Sequence, residues 1–275
     1  MNLMDAGPPK ISLVIPSIPG HVQYLAELLI AYAKGDEKPD EVVISLSNAH
    51  QVWKWQKNNI EKLGNELFNS FKLIRHRRTL LHGPNRQAAV EHCSHDIVSF
   101  FDSDDLPYPD RISMLRRAFA ELDVVHVNHG WTRLGKPLAM NETTDVPVLA
   151  DTSTLFKAYF ANGEIEECTK ASKTYGSVAK VNRSKRSFAG TTAGHVTVRR
   201  SVFEKVRWKD WNELRLGSGE DYEFNIECLF HFRKSAIIDL PLSQYRVGHK
   251  PANRVSRWFR QGYRRFVGAC DTITG

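Results

Sequence analysis

Cysteine is scarce and never closely paired. Cys93, Cys168, Cys228 and Cys270 are the only four in 275 residues, and no CxxC occurs. A thiolate zinc site is therefore disfavoured, and reduced thiols are the expected state. No run approaches the roughly 18–20 apolar residues that a membrane span needs. The opening MNLMDAGPPK carries no apolar stretch of the kind that directs secretion. Together these absences predict a soluble, cytoplasmic protein.

Several nucleotide and hydrolase motifs are missing too. No GxxxxGKS or GxxxxGKT occurs, which excludes a P-loop. Where a dinucleotide fold would carry GxGxxG after its first strand, IPSIPGH (Ile15–His21) stands instead. That loop also lacks the glycine-rich, basic signature expected of sugar nucleotidyltransferases. Neither HExxH nor GxSxG is present, which removes the common zincin and α/β-hydrolase chemistries. There is no internal repeat.

What is present suits a folded enzyme. Apolar residues make up 41% of the chain, enough for a substantial core, and charged residues 25%. The formal net charge of +7 suits anionic partners: nucleotides, phosphorylated glycans, nucleic acid or a membrane surface.

The first half alternates strand-like and helix-like segments. ISLVIPS (Ile11–Ser17) and DEVVISLS (Asp40–Ser47) read as buried strands, and FKLIRHR, DIVSFF and DVVHVNH as three more. Between the first two, Val22, Leu25, Leu28, Leu29 and Tyr32 form one helical stripe, with Gly35 as a stop. Further helices are expected over His50–Phe68, Asn85–Cys93 and Asp110–Leu122, the last with Asp110 as N-cap. This alternation implies a mostly parallel α/β sheet with both faces covered. From Gly130 to Gly190 periodicity is weak, which predicts an insertion over one edge of the sheet. Regular structure resumes with GHVTVRRSVFEKVRW, a helix after Gly219, and a strand in AIIDLPLSQYRV.

Chemistry concentrates in FFDSDD (Phe100–Asp105), just past the carboxyl end of an apolar strand. Ligands of open parallel sheets bind at that end. In extended chain Asp102 and Asp104 would share a face, with Ser103 and Asp105 on the other. Two carboxylates on one face make a hard-oxygen site for Mn²⁺ or Mg²⁺ with a substrate phosphate, which would also relieve their mutual repulsion. The plain alternative is a solvated acidic turn leading into the next helix.

The chain resembles the inverting family 2 glycosyltransferases of GT-A fold. ISLVIPS is similar to that family's first strand and nucleotide loop. Gly83–Ile112 is similar to its central block, where an arginine-bearing helix precedes the DxD strand. GEDYEF (Gly219–Phe224) resembles its late acidic motif, and YRVGHKPANRVS (Tyr245–Ser256) its closing segment. The resemblance runs from about Ile11 to Ser256. It implies a single GT-A domain over 1–275: a nucleotide-sugar half over about 11–128, an acceptor-binding and catalytic half over about 129–250, and a basic C-terminal helix over about 251–275.

It also implies roles. Pro16 and Ser17 would line the nucleotide pocket, with Ser103 among its contacts, and Arg86 would meet the nucleotide or its phosphates. Asp102 would hold ribose or metal, Asp104 would ligate the metal, and His249 would approach from the C-terminal side. Asp221 would be the general base, with Glu220 the alternative. Where the family often has an acidic cluster after its second strand, Ser47 and Asn48 stand here, and Asn can still bond a uracil edge. The cofactor implied is Mn²⁺ or Mg²⁺, the donor a nucleotide sugar with UDP favoured, and the acceptor a glycan or glycoconjugate hydroxyl.

Each residue has a plainer reading. Glu220 and Asp221 also suit a helix N-terminus, where acids favour the macrodipole. Arg86 follows Gly83-Pro84 near a helix start, a natural phosphate site, and is otherwise a surface arginine. A lone His249 is more often structural than a ligand. Large aromatics are mostly core, and Trp208 and Trp211, just before the acidic motif, are the candidates for acceptor contact. The arginines and aromatics of RVSRWFRQGYRRF offer an anionic membrane surface a peripheral contact, or pack as a helix with solvated charges. Competing readings are a non-catalytic nucleotide- or carbohydrate-binding relative, and a basic nucleic-acid-binding protein; no nucleic acid is expected on the leading reading.

Overall fold

The computed structural model describes residues 7–135, 145–160, 190–214 and 219–247. His249, the basic segment over 251–275, Cys168 and Cys270 lie outside them.

The apolar runs become the middle of a ten-stranded sheet. Strand β1 (Ile11–Ser17) is buried along its whole length. It pairs in parallel with β2 (Glu41–Leu46) on one side and β4 (Ile97–Phe100) on the other. β3 (Phe71–Arg75) closes that end as a half-buried edge. Alternation along these strands feeds two cores. Ile11, Leu13, Ile15, Val42 and Ile44 face α1 (Val22–Ala33), α2 (Lys54–Leu67) and α4 (Arg111–Glu121). Val14, Val43, Val98 and Phe100 face α3 (His82–Val90) and the later helix α6 (Glu220–Phe232). A fully buried Ile, Leu or Val contributes about 1.5–3 kcal/mol relative to exposure, so this sandwich holds the frame firmly.

The second half completes the sheet with mixed directions. The order is β3-β2-β1-β4-β9-β6-β10-β5, with β7 on β10 and β8 on β6. β6 (His126–Arg133) and β10 (Ser235–Tyr245) run parallel to each other. β9 (Thr197–Arg199) lies between β4 and β6 and is antiparallel to both. Because of that reversal, residues preceding β9 land beside residues following β4. Short strands β5 (Leu106–Pro107), β7 (Val148–Asp151) and β8 (Gly190–Thr191) pair antiparallel at the margins.

The structure departs from sequence expectation in several places. The helix expected over Asn85–Cys93 spans His82–Val90. The helix expected from His50 starts at Lys54, after a short 3-10 turn over Ala49–Gln51. Asp110 stands at the N-cap of α4, but its side chain makes no capping bond. The weakly periodic region keeps regular structure at its ends: β6 runs on to Arg133, and β7 leads into α5 (Thr152–Tyr159), capped by Asp151 through Thr154 N–H. Cys93 and Cys228 are buried free thiols, as their spacing predicts.

Candidate active site

The carboxyl ends of β1, β2 and β4, the segment before β9, the end of β10 and the start of α6 share one edge of the sheet. The acidic run after β4 is not extended. Asp105 N–H bonds back to the Asp102 carbonyl at 3.3 Å, so 102–105 form a turn. The turn swaps the pairing expected from alternation. Asp102 gathers with Asp105 and His195, one ligand atom from each, all within 4.8 Å of one another. Asp104 lies apart from that trio, its Oδ1 3.6 Å from His21 Nδ1.

The protein's own cations take up much of the aspartates' repulsion. Arg86 is buried, which excludes the surface reading, and its Nη2 holds Asp102 Oδ1 at 2.6 Å. Its Nη1 reaches Glu220 Oε1 at 3.3 Å. One guanidinium thus joins the turn after β4 to the first residue of α6. His195 Nε2 sits 3.5 Å from Asp102 Oδ2 and 3.4 Å from Asp105 Oδ2. Burial raises the carboxyl of Asp102, but Arg86 and His195 outweigh it and hold the group well below the usual carboxylate range. Burial likewise opposes a charged His195, yet Asp102 and Asp105 hold its pKa above the ordinary histidine value.

His195 is held on several sides. Its ring stacks on Phe101 with centroids 4.2 Å apart, and Tyr245 meets it edge-on at 4.8 Å. Its Nδ1 is 2.9 Å from Ser243 Oγ. Beneath it lies Arg111, fully buried, donating to His195 O, Ser99 Oγ, Phe100 O and Ser243 Oγ and contacting His129 Nε2.

Gly194 and Gly83 are required by close approach. A Cβ on Gly194 would lie 2.8 Å from Arg86 Nη2, and one on Gly83 2.0 Å from the Lys209 carbonyl. The second contact packs α3 against the segment that leads to α6.

Asp221 follows Glu220 on α6. Burial first, then the neighbouring Glu220 charge, push its carboxyl above the ordinary aspartate value, against the pull of Arg86. Its Oδ1 accepts from the Tyr222 N–H at 2.9 Å. Asn225, one turn on, ties the helix start to its surroundings by donating to the carbonyls of Ala193 and Asp221.

The other expected residues divide. Pro16 and Ser17 are buried at the end of β1, and Ser17 Oγ has no hydrogen-bond partner among the described residues. Ser47 Oγ accepts from Leu80 N–H at 2.8 Å, and Asn48, left-handed at φ 51°, accepts from Thr79 Oγ1 at 3.1 Å. Ser103 Oγ is 3.4 Å from His21 Nδ1. Trp208 corrects its expected acceptor role: it is 1% exposed, stacked on Phe224 at 4.0 Å with Arg86 over its ring. Trp211 is 52% exposed and keeps an open face.

Sequence reasoning missed His195, Gly194 and Arg246. The available signal was AGH standing directly before an apolar strand. Only the antiparallel insertion of β9 tells which end of the sheet that tripeptide reaches.

The glycosyl transferase family 2 model matches residues 12–207. The chain belongs to glycosyl transferase family 2. Its fold is similar to S. aureus TarS 1-349 in complex with UDP-GlcNAc, at 15% identity and a TM-score of 0.59, covering 88% of this chain and 59% of that one. It is also similar to glucosyl-3-phosphoglycerate synthase from Mycobacterium tuberculosis in complex with Mn²⁺, UDP and phosphoglyceric acid, at 14% identity and a TM-score of 0.52, covering 95% of this chain and 78% of that one. The chain thus spans about three fifths of the TarS chain it matches. No curated protein matches it. The architecture is GT-A, and no helix among the described residues is long and apolar enough to cross a membrane.

Proposed function

We propose that this family 2 glycosyltransferase moves a sugar, with inversion, from a UDP-sugar to a hydroxyl of a glycan or other acceptor, and that it needs Mn²⁺ or Mg²⁺. The observation that carries the reading is the Arg86 bridge. It joins the acidic turn to the first residue of α6, over a hundred residues away in sequence. On this reading the bridge joins the nucleotide half over 11–128 to the acceptor half over 129–250.

The residues at the turn fit a divalent cation. Two carboxylate oxygens suit Mn²⁺ or Mg²⁺, and an imidazole nitrogen beside them favours Mn²⁺ of the two; His195 Nε2 faces both carboxylates, at 3.5 and 3.4 Å. Asp102, Asp105 and His195 would hold the ion; the resemblance also names Asp104, beside His21, and His249, which lies outside the described residues. A bound ion supplies Lewis acidity to the departing diphosphate. The protein's own residues do the rest. The Ser17 hydroxyl, without a partner among the described residues, and the Asn48 loop receive the nucleoside. Arg86 offers positive charge at the diphosphate. Asp221 takes the acceptor's proton as general base on the side opposite the leaving group. Glu220, engaged by Arg86, is the worse placed of the two acids for that task. Trp211 offers the acceptor a stacking face.

A thermal-shift panel of nucleotide sugars with and without Mn²⁺ tests this. A ligand at a hundred times its dissociation constant stabilises by about 2.7 kcal/mol. The expected result is a metal-dependent shift for one UDP-sugar, with transfer abolished in Asp221→Asn. Full turnover by that variant on a true acceptor would overturn the base assignment.

A further inference from the structure

We propose that Arg246 is a positioning residue that locks the acidic turn into the geometry needed for a metal-bound diphosphate. The inference rests on the functional reading above. Arg246 is the first residue beyond β10, and four contacts fix it. Its backbone N–H donates to Asp105 Oδ1 at 2.8 Å. Its Nε donates to the Asp104 carbonyl at 2.9 Å. Its Nη2 reaches Glu27 Oε2 on α1 at 2.6 Å, and its guanidinium lies 4.8 Å from the Tyr24 ring centroid.

Asp102 is already held from the Arg86 side. His195 and His21 approach Asp105 and Asp104 at 3.4 and 3.6 Å without fixing the Asp104 peptide, and carboxylates this close repel unless the turn is tied down. Arg246 supplies that tie. It orients the Asp105 carboxylate by a backbone donor and fixes the Asp104 peptide by a side-chain donor. Its far end is held between Glu27 and Tyr24, which favours the orientation that reaches the Asp104 carbonyl. The side chain keeps 20% exposure, so it is a clamp at the cleft margin rather than part of the core. Partners that orient metal ligands are worth about 10–100-fold in metal affinity. Lysine cannot replace it, because a single ammonium cannot serve the Asp104 carbonyl and Glu27 in a fixed fork.

The test is calorimetric titration with Mn²⁺–UDP, and with UDP in EDTA, on wild type, Arg246→Ala, Arg246→Lys and Glu27→Gln, with a melting curve for each. The expected result is a loss of about 10–100-fold in Mn²⁺–UDP affinity for Arg246→Ala, with metal-free UDP binding unchanged. Arg246→Lys should fall between it and wild type. Glu27→Gln should lose affinity in the same direction, and it carries the test if Arg246→Ala fails to fold. Wild-type affinity in both Arg246→Ala and Glu27→Gln, or equal losses with and without metal, overturns the inference alone. A wild type whose UDP binding ignores Mn²⁺ overturns the functional reading and this inference with it.

Discussion

Gly194→Ala isolates the Arg86 bridge with a single methyl group. The new Cβ would lie 2.8 Å from Arg86 Nη2 and 3.2 Å from Asp102 Oδ2. Ordinary contact begins at 3.4 Å, so the guanidinium must withdraw by about 0.6 Å. It has little room, being 3% exposed with Trp208 against its face. Withdrawal stretches the 2.6 Å bond to Asp102, and the Glu220 arm is already long at 3.3 Å. Complete loss of one partner from a buried pair costs about 3–5 kcal/mol. Overpacking a tight site costs about 1–3 kcal/mol. The methyl stretches the pair without deleting it, so the lower range applies. For a chain of this size each kcal/mol lowers the melting temperature by roughly 2–4 °C. Differential scanning fluorimetry on Gly194→Ala and on Gly7→Ala, whose Cβ meets nothing within 4 Å, reads the effect directly. Donor affinity should fall in Gly194→Ala and hold in Gly7→Ala. A Gly194→Ala protein that melts and binds UDP like wild type would refute the claim that the bridge is tightly packed.

Asp221→Asn should raise the melting temperature at neutral pH while abolishing transfer. With the folded pKa raised, the ionised carboxylate destabilises the fold, a penalty absent below the ordinary value and complete once pH exceeds the folded one. For the same reason the acid limb of kcat/KM should lie above the range of an ordinary aspartate. Trp208→Ala should cost about 3–5 kcal/mol by denaturant melting. Trp211→Ala should stay within about 0.5 kcal/mol of wild type and raise KM for the acceptor alone. Glu41 is buried, which alone would raise it, but bonds from Lys72, Ser12 and Ser94 hold its pKa at about 2. Its stabilisation is present above the ordinary value of 4.5 and is lost as pH falls through about 2. Acid titration of Glu41→Gln should therefore lose slope in that window, and an unchanged slope would count against the assignment.

The frame was legible because its signals are local. The stripe of Val22, Leu25, Leu28, Leu29 and Tyr32 is buried as its spacing requires, and ISLVIPS is buried on both faces as a continuous apolar run should be. The placement of acids beyond β4 follows from the same pattern. What failed needed local geometry or topology. Alternation in extended chain pairs Asp102 with Asp104, whereas a single i→i+3 bond brings Asp105 beside Asp102. Trp208 looks free in sequence because nothing local reports that Phe224, on a later helix, covers its face. Arg246 lies over a hundred residues from the turn it clamps.

The site also divides labour between carboxylates by environment. Asp102 and Asp221 both feel Arg86, and burial works against the charge of both. Their outcomes are opposite. Asp102 bonds the guanidinium directly and has His195 beside it, so it stays an anion well into acid. Asp221 feels Arg86 only through space, with Glu220 adjacent, so its proton affinity rises. Pairs of acids pushed apart in this way mark distinct chemical tasks. A permanent anion suits holding a cation or a ribose hydroxyl and is a poor proton acceptor. A carboxylate of raised pKa, more basic than Asp102, suits taking a proton from an alcohol. On the proposed mechanism the one arginine does more than cancel charge: by bonding Asp102 directly and not Asp221, it leaves Asp221, raised by burial and by Glu220, the more basic of the two.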